Sequence, residues 1–332
     1  MSDAPRLFWS RLRSAGPSRV ARAAIMALRH RKALLPLRRA RPDSALGRLI
    51  AARPEVWGMV VTPYLSARWS PPQRLARIVD HCETIERLGF PLDTPLDSFV
   101  NLLVLDEIDP VFRIVLDQPS WLLRDGQATF SLWEGADRLV SLSYCLSSDG
   151  GILTAHIGGC QGRGEAGVLD RYRRFTKRAE GIRPIDFTIE LFRLFCRSLG
   201  VTHIRAVSGA NHHQQSAYSV QVCGGVAVHL SYDALWASRD GHPLPDGDYA
   251  LALDPPRRAP EEIPANKRAM YRRRYALVDA LASRLEQVVR DGERPGMLGR
   301  YPRPTGSPRS VPTPARSPAA LIDFGHTPAP SQ

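Results

Sequence analysis

The chain has 332 residues, of which 43% are hydrophobic and 23% charged, a composition that is ordinary for a globular protein with one large core or two modest ones. Its formal net charge of +12 is unevenly placed, because residues 1–50 hold twelve Lys and Arg but only two Asp. The remainder of the chain is therefore nearly neutral. This distribution disfavours nucleic acid as a partner, since a nucleic-acid-binding domain carries its basic side chains across the binding surface.

The cysteines and the hydropathy of the chain indicate where the protein resides. Five cysteines are scattered without a Cys-x-x-Cys pair, which argues against a zinc ribbon or a redox dithiol and is typical of free thiols in a reducing compartment. No apolar stretch approaches the length of a membrane-spanning helix, and the N-terminus is a poor signal peptide because basic residues follow its short apolar stretch at once. We therefore predict a cytoplasmic protein, with the inner membrane surface as an alternative location.

Residues 19–40 alternate small or apolar residues with arginines at helical spacing, a pattern that predicts a basic amphipathic helix. Ile25, Leu28 and Leu35 fall on one face of this helix, and the arginines lie largely elsewhere. Such a helix can lie on an anionic membrane surface, or it can pack its apolar edge on the rest of the protein. We treat residues 1–45 as a basic amphipathic segment that precedes the folded domain.

Beyond this segment the hydrophobic period changes from helix to strand and back. Residues 70–89 predict a helix, with Ser70 as its N-cap and Gly89 as its end. From about residue 111, four segments alternate with period two and predict an antiparallel meander, in which residues 148–151 form a hairpin turn. Two helices, a strand, a second short strand that leads into a helix, and a long basic helix follow.

This order of elements predicts one α+β domain, an antiparallel-rich mixed sheet flanked by helices, over residues 46–292. We divide it into a helical part, residues 46–105, and a sheet-bearing core, residues 106–292. Residues 293–332 are rich in proline and poor in apolar side chains, so we expect this tail to be disordered.

A glycine-rich segment, HIGGCQGRGEAG, joins the last strand of the meander to a helix. Gln161-x-x-Gly164-x-Ala166 resembles the Q/R-x-x-G-x-G/A signature of GNAT acyltransferases, in which backbone amides and a helix N-terminus bind the pyrophosphate of coenzyme A. The resemblance implies an acyl-CoA cofactor held by Gln161, Gly162, Arg163, Gly164 and Ala166. The alternative is a tight turn that needs glycine only for its dihedral angles.

The segment VSGANHHQQ ends the next strand, and its polar side chains would emerge at a carboxyl end of the sheet, where ligands tend to bind. His212, with Asn211 beside it, is the candidate catalytic group, because an imidazole titrates near neutral pH and can serve as a general base. Adjacent histidines on an extended segment point in opposite directions, so we predict no metal site. The alternative is a solvent-exposed loop with an Asn turn.

Several segments of the chain occur in an order that resembles the VirK/YbjX family of bacterial proteins. They include PYLSARWSPPQRLARIVDH, LVSLSYCL, IGGCQG, GIRP, AVSGANHH and YDALW. The resemblance covers roughly residues 20–285 and implies a role in the envelope of Gram-negative pathogens, in virulence and in resistance to cationic antimicrobial peptides. It brings no settled activity, and Gly209 stands where an acidic residue is common in the family.

Two functions remain open at this point. In the first, the protein transfers an acyl group from coenzyme A to the amine of a small-molecule or lipid acceptor, and the amine proton passes to water or to His212; positioning would supply most of the acceleration. In the second, the protein is not an enzyme and docks on anionic lipid through its basic N-terminal helix, where it acts through a partner.

Overall fold

A computed structural model of the chain describes residues 17–216, 219, 231–254 and 257–301, and these residues carry a nine-stranded sheet. The strands are β1 (Ser98–Val104), β2 (Phe112–Asp117), β3 (Ala128–Glu134), β4 (Asp137–Asp149), β5 (Ile152–Gly162), β6 (His203–Ala206), β7 (His242–Pro243), β8 (Tyr249–Leu251) and β9 (Leu298–Arg300). Their order across the sheet is β7-β8-β6-β5-β4-β3-β2-β1-β9, and the pairing of β5 with β6 is parallel while all other pairings are antiparallel.

The α-helices of the described part are α1 (Pro17–Arg29), α2 (Leu35–Arg39), α3 (Ala45–Ala52), α4 (Pro71–Leu88), α5 (Val168–Arg178), α6 (Pro184–Ser198), α7 (Tyr232–Ala237) and α8 (Arg268–Asp291). In this part of the chain, no helix has both the length and the apolar character that crossing a membrane requires. The predicted fold class, an α+β protein with an antiparallel-rich mixed sheet and helices around it, is confirmed.

Helix α4 begins and ends where the sequence predicts. Ser70 is the N-cap, and its backbone amide donates to the side-chain oxygen of Gln73 at 2.8 Å, which completes a capping box. Gly89 ends the helix with a φ of 69°, a value that side-chain-bearing residues rarely adopt. Leu75 and Ile78 lie on the buried face, as the helical spacing requires.

The meander of β2 to β5 also follows its sequence pattern. Each strand pairs antiparallel with the next, and the turn between β4 and β5 places Gly150 and Gly151 at φ values of 59° and 86°. Two consecutive residues with positive φ are what a two-residue hairpin turn needs, so the glycines in the predicted turn have a direct conformational reason.

Helices and loops cover both faces of the central strands. On β4, the Tyr144 ring packs on Phe192 of α6, with ring centroids 4.9 Å apart. The neighbouring side chain, Cys145, points to the opposite face and interacts with the Tyr64 hydroxyl, which belongs to the segment before α4. The main core lies between the sheet and α6, where the Phe130 ring meets Phe192 edge-on and packs at a tilt on Phe195.

Four strands are not evident in the sequence pattern. Strand β1 lies inside residues 46–105, which the sequence predicts to be helical, and its alternation of buried and half-buried residues is interrupted where Leu102 and Leu103 are both buried. Strands β7, β8 and β9 have two or three residues each, too few to show a period. Strand β9 lies inside the tail predicted for residues 293–332, and it pairs with β1. The folded part therefore extends to residue 300.

The predicted N-terminal helix over residues 19–40 is two helices, α1 and α2, joined by a turn. Some predictions concern parts of the chain outside the described residues. These parts are residues 1–16 of the basic segment, Cys223, the short strand predicted before α7, and the proline-rich tail from residue 302.

Candidate functional site

The parallel strands β5 and β6 separate at their carboxyl ends and leave a notch in the sheet. Their pairing runs as far as Ile157 opposite Ala206, and the Val207 amide donates to the Ile157 carbonyl at 2.9 Å. Beyond this point β5 continues to Gly162 beside β4 alone, while the chain after β6 turns away. Such a break between parallel strands is where open α/β sheets commonly place their ligands.

The loop between β2 and β3 enters this notch and brings Asp125 against the glycines of β5. Gly158 is the extra residue of a β-bulge, since Ile157 and Gly159 pair with the consecutive residues Tyr144 and Ser143. A Cβ atom on Gly158 would lie 1.9 Å from the Asp125 carbonyl oxygen. The paired glycines of the IGGCQG segment therefore let another backbone approach the strand closely.

Asp125 is the centre of a buried polar cluster. Its Oδ1 lies 2.8 Å from Nε2 of His213, a hydrogen bond, and 3.2 Å from Nε2 of His212, which has no hydrogen bond of good geometry. Its Oδ2 accepts from the side-chain amide of Gln161 at 3.1 Å. Asp125, His212 and His213 are 4%, 1% and 5% exposed, whereas Gln161 is at the surface. The cluster thus lies directly beneath one surface side chain.

A tight loop makes both histidines face the same carboxylate. The His212 amide donates to the Ser208 carbonyl at 3.0 Å, the His213 amide donates to the Leu65 carbonyl at 3.1 Å, and a 3-10 turn begins at His213. The two imidazole centroids are 4.5 Å apart. The expectation that these side chains point in opposite directions is therefore wrong, because it assumed an extended backbone where the chain turns.

Asn211 holds this loop in place from the other side. Its side-chain amide donates to Oδ1 of Asp248 at 2.8 Å and to the Asp246 carbonyl at 3.0 Å. Its backbone carbonyl accepts from the Ala67 amide at 2.7 Å. These bonds connect the loop after β6 with the loop before β8 and with the segment before α4. In this structure Asn211 contacts the surrounding loops, and its neighbour His212 contacts Asp125.

Tyr232, the first residue of α7, lies in the notch between β5 and His212. Its hydroxyl accepts from the Cys160 amide at 3.3 Å, and its ring stacks on His212 with centroids 4.9 Å apart. The Trp236 indole, one turn later, donates to the Val207 carbonyl at 2.7 Å and anchors the helix beside the notch. The YDALW segment belongs to the family resemblance, but its sequence does not indicate a role for Tyr232, because the contact with β5 joins residues 72 positions apart.

Burial sets the protonation of these groups. Burial raises the pKa of Asp125, but the two imidazoles that face its carboxylate, His212 and His213, outweigh it, and the pKa falls to about 2. Burial lowers the pKa of His213, raises the pKa of the Tyr232 phenol, and raises the pKa of the Cys160 thiol to about 12. At neutral pH the notch thus combines a carboxylate with a phenol and a thiol that keep their protons.

The second half of the glycine-rich segment lies away from this cluster. Gly162 pairs with Val140 of β4, and the Arg163 amide donates to the Tyr172 hydroxyl at 3.1 Å. The Glu165 carboxylate is held by Arg163 at 2.6 Å and by Arg171 at 2.9 Å. Of the residues predicted to hold the cofactor, only Gln161 reaches the histidine cluster, through its hydrogen bond to Asp125.

Gly162 ends β5, and Arg163, Gly164 and Ala166 follow it in a separate, largely exposed loop before α5. The five residues that the sequence predicts to hold one cofactor therefore lie in two places, with Gln161 at the histidine cluster and the other four away from it.

The region that contains both places matches a known family. The sequence model of a family described as a protein of unknown function, DUF535, matches residues 18–287. The chain belongs to this family. It is similar to the uncharacterized protein YbjX of Escherichia coli K12, with 28% identity over 73% of this chain and 74% of that protein.

An uncharacterized protein of Haemophilus influenzae Rd is 24% identical over 69% of this chain and 75% of its own length. The predicted resemblance to the YbjX family is therefore confirmed. No solved structure matches this DUF535 protein.

Proposed function

We propose that this DUF535 protein transfers an acyl group from coenzyme A to an amine. The observation that carries the proposal is the separation of β5 and β6 after Ile157 and Ala206, beside a glycine-rich loop and the N-terminus of α5. The resemblance to GNAT acyltransferases implies this arrangement, with the thioester between separating parallel strands and the pyrophosphate at the helix N-terminus. A β-bulge at Gly158 lies beside this separation.

The loop before α5 offers donors for a pyrophosphate. Within the described part of the chain, the amides of Gly164, Glu165 and Ala166 donate to no protein group. The Glu165 carboxylate now holds the Arg163 and Arg171 guanidinium groups at this loop. Because Glu165 is exposed, exchanging it for a phosphate would cost little, and both arginines would then bind the anion.

The notch supplies the chemistry near the thioester. The Tyr232 phenol keeps its proton at neutral pH and points at the backbone of β5, so it can donate a hydrogen bond to the sulfur of the leaving coenzyme, which takes its proton from water. The proton of the attacking amine passes to water, with Nε2 of His212 as the predicted alternative. Holding donor and acceptor together provides most of the rate, as in other direct transfers. The acceptor is an amine of a small molecule or of a lipid.

Isothermal titration with coenzyme A and an acyl-CoA tests this proposal. We expect Arg163→Ala to weaken binding by about tenfold or more, since it removes a charged hydrogen-bond donor to phosphate. We expect Glu165→Gln to strengthen binding a few-fold, because the competing carboxylate is lost. Arg173→Ala, which removes an exposed arginine of the adjacent helix α5, is the control and should leave the affinity unchanged. Absence of binding at millimolar ligand would refute the proposal.

A second function, docking on an anionic membrane surface, is favoured by one observation on α1. Ile25 and Leu28 are 66% and 67% exposed, although they are large apolar side chains, and they lie on the same face. Exposed basic residues flank them at Arg22 and Arg29. The opposite face contains the buried Ala23, so the helix is anchored on the protein while its apolar residues face outward. This function accords with the envelope role that the family resemblance implies.

Co-sedimentation with vesicles of phosphatidylglycerol and phosphatidylcholine tests the docking. We expect the double substitution Ile25→Asn with Leu28→Asn to reduce binding by roughly tenfold or more, since each inserted side chain contributes about 1–2 kcal/mol. Ile152→Asn is the matched control, because Ile152 is 51% exposed at the hairpin between β4 and β5. Point substitutions are preferable to deleting the segment, because Leu34 and Leu37 are buried in the core. Equal losses in both variants would contradict a role for α1.

A further inference from the structure

We infer that Asp125, His212 and His213 form a binding site for a divalent transition-metal ion of the zinc class. The three side chains come from two loops on either side of the notch and offer ligand atoms that all lie within 4.8 Å of one another. The inference goes beyond the proposed acyl transfer and does not depend on it.

The distances between the ligand atoms match the edges of a coordination shell. Oδ1 of Asp125 lies 2.8 Å from Nε2 of His213 and 3.2 Å from Nε2 of His212. With metal–ligand bonds of about 2.1 Å, the ligand–ligand edge is about 3.0 Å in an octahedron and about 3.4 Å in a tetrahedron. Small movements of the side chains would therefore bring all three atoms within bonding distance of one ion.

The hydrogen bonds of the cluster do not satisfy its buried nitrogens. Nε2 of His212 and Nδ1 of His213 are both inaccessible to solvent and have no hydrogen-bond partner. Buried polar atoms of this kind are rare, and each indicates a strained site or a missing partner. A cation at the cluster gives the His212 nitrogen that partner, and it neutralises the carboxylate that both imidazoles face.

The surroundings hold the ligands as metal sites usually require. The Gln161 amide donates to the second carboxylate oxygen of Asp125 at 3.1 Å and so orients the first towards the histidines. The Tyr232 ring stacks on His212, and Gly158 and Gly159 leave room for Asp125 against β5. The ligand positions are thus fixed by strand and loop contacts that exist without the ion.

The ligand set determines the class of metal. Two imidazole nitrogens with one carboxylate oxygen suit zinc, iron, cobalt, nickel or manganese, whereas magnesium and calcium prefer an all-oxygen shell. Binding through Nε2 places the His212 proton on Nδ1, at the expense of its 3.4 Å contact with the Gln214 amide. A bound ion would occupy Nε2 of His212, the nitrogen that a general base needs. In the proposed acyl transfer, the proton of the attacking amine would then pass to water.

Titration of tag-free, chelator-treated protein with Zn²⁺ tests the site, with Co²⁺ as the spectroscopic probe. We expect about one equivalent of metal per chain and visible Co²⁺ bands without the strong thiolate charge-transfer absorption that cysteine ligands give. Asp125→Asn and His213→Gln should each weaken binding at least 100-fold. Gln161→Leu should weaken it by about 10–100-fold, as loss of a group that orients a ligand does.

His203→Gln is the control for these variants, because it removes an exposed histidine of β6 outside the cluster. It should bind metal as the unmodified chain does. Gln161 is also exposed, so the Gln161→Leu variant keeps the test valid if a ligand variant fails to fold. Absence of stoichiometric binding, thiolate absorption with Co²⁺, or equal affinities of the Gln161 and His203 variants would overturn the inference. Coenzyme A titrations of the metal-free and metal-loaded protein distinguish its failure from that of the acyltransfer proposal.

Discussion

Gly158→Ala is expected to destabilise the protein by about 3 kcal/mol or more, at the upper end of the range for overpacked sites. The added methyl group would lie 1.9 Å from the Asp125 carbonyl oxygen and 2.6 Å from Cγ of Leu65. Neither segment can retreat easily, because the Leu65 amide donates to the Arg124 carbonyl at 2.7 Å and locks the two loops together. Urea unfolding followed by circular dichroism measures the loss.

Gly164→Ala is the matched control in the same glycine-rich segment. A Cβ atom there meets no atom within 4 Å, and Gly164 is not among the positions with a positive φ. We therefore expect its free energy of unfolding to change by less than about 0.5 kcal/mol. Similar unfolding curves for the two variants would contradict the close contact between β5 and the Asp125 loop.

The sequence of the glycine-rich segment predicts its place between a strand and a helix, but not its contact with Asp125. Its composition predicts a junction between a strand and a helix, and that junction is present at Gly167, the N-cap of α5. The reason for Gly158 and Gly159 lies at Asp125, which is 33 residues before Gly158 in the chain. A contact of that kind leaves no local pattern, because it depends on which loop the sheet brings against the strand.

The elements that the sequence predicts well are those with long periodic patterns. Helix α4 and the strands β2 to β5 have many residues, clear capping or turn residues, and one dominant period each. Strand β1 is not predicted by its periodicity, because buried residues such as Leu102 and Leu103 are adjacent in sequence. The short strands β8 and β9 form because a neighbouring edge offers backbone hydrogen bonds, which sequence composition does not report.

The sequence likewise predicts some features of the candidate site and misses others. The position of His212 at the carboxyl end of a strand follows from the order of elements, and the structure places it there. Its convergence with His213 does not follow, since a 3-10 turn held by the Leu65 carbonyl reverses the expected directions. Asp125 was also missed, because the RDGQ sequence around it is typical of an ordinary turn. Two segments that carry the family resemblance, IGGCQG and AVSGANHH, meet at this one carboxylate.

Asp125→Ala is expected to cost about 3–5 kcal/mol of folding free energy in metal-free protein, the range found when one partner of a buried polar or charged pair is removed. The substitution leaves Nε2 of His213 and the side-chain amide of Gln161 without the acceptor that each now has. His213 is buried and cannot turn to water. Asp106→Ala, at a carboxylate that is 66% exposed, is the control and should be nearly neutral.

A double-mutant cycle with His213→Ala separates this pair from a general disturbance of the loop. Because the two side chains share a 2.8 Å hydrogen bond in a buried site, we expect a coupling free energy of about 1.5–3 kcal/mol. Additive effects would mean that Asp125 stabilises the fold through its backbone and its packing on β5. Repeating the cycle with saturating Zn²⁺ tests the inferred metal site, since an ion held by Asp125 should raise the free energy of unfolding of the unmodified chain alone. Equal stabilisation of the Asp125→Ala variant by zinc would place the ion elsewhere on the protein.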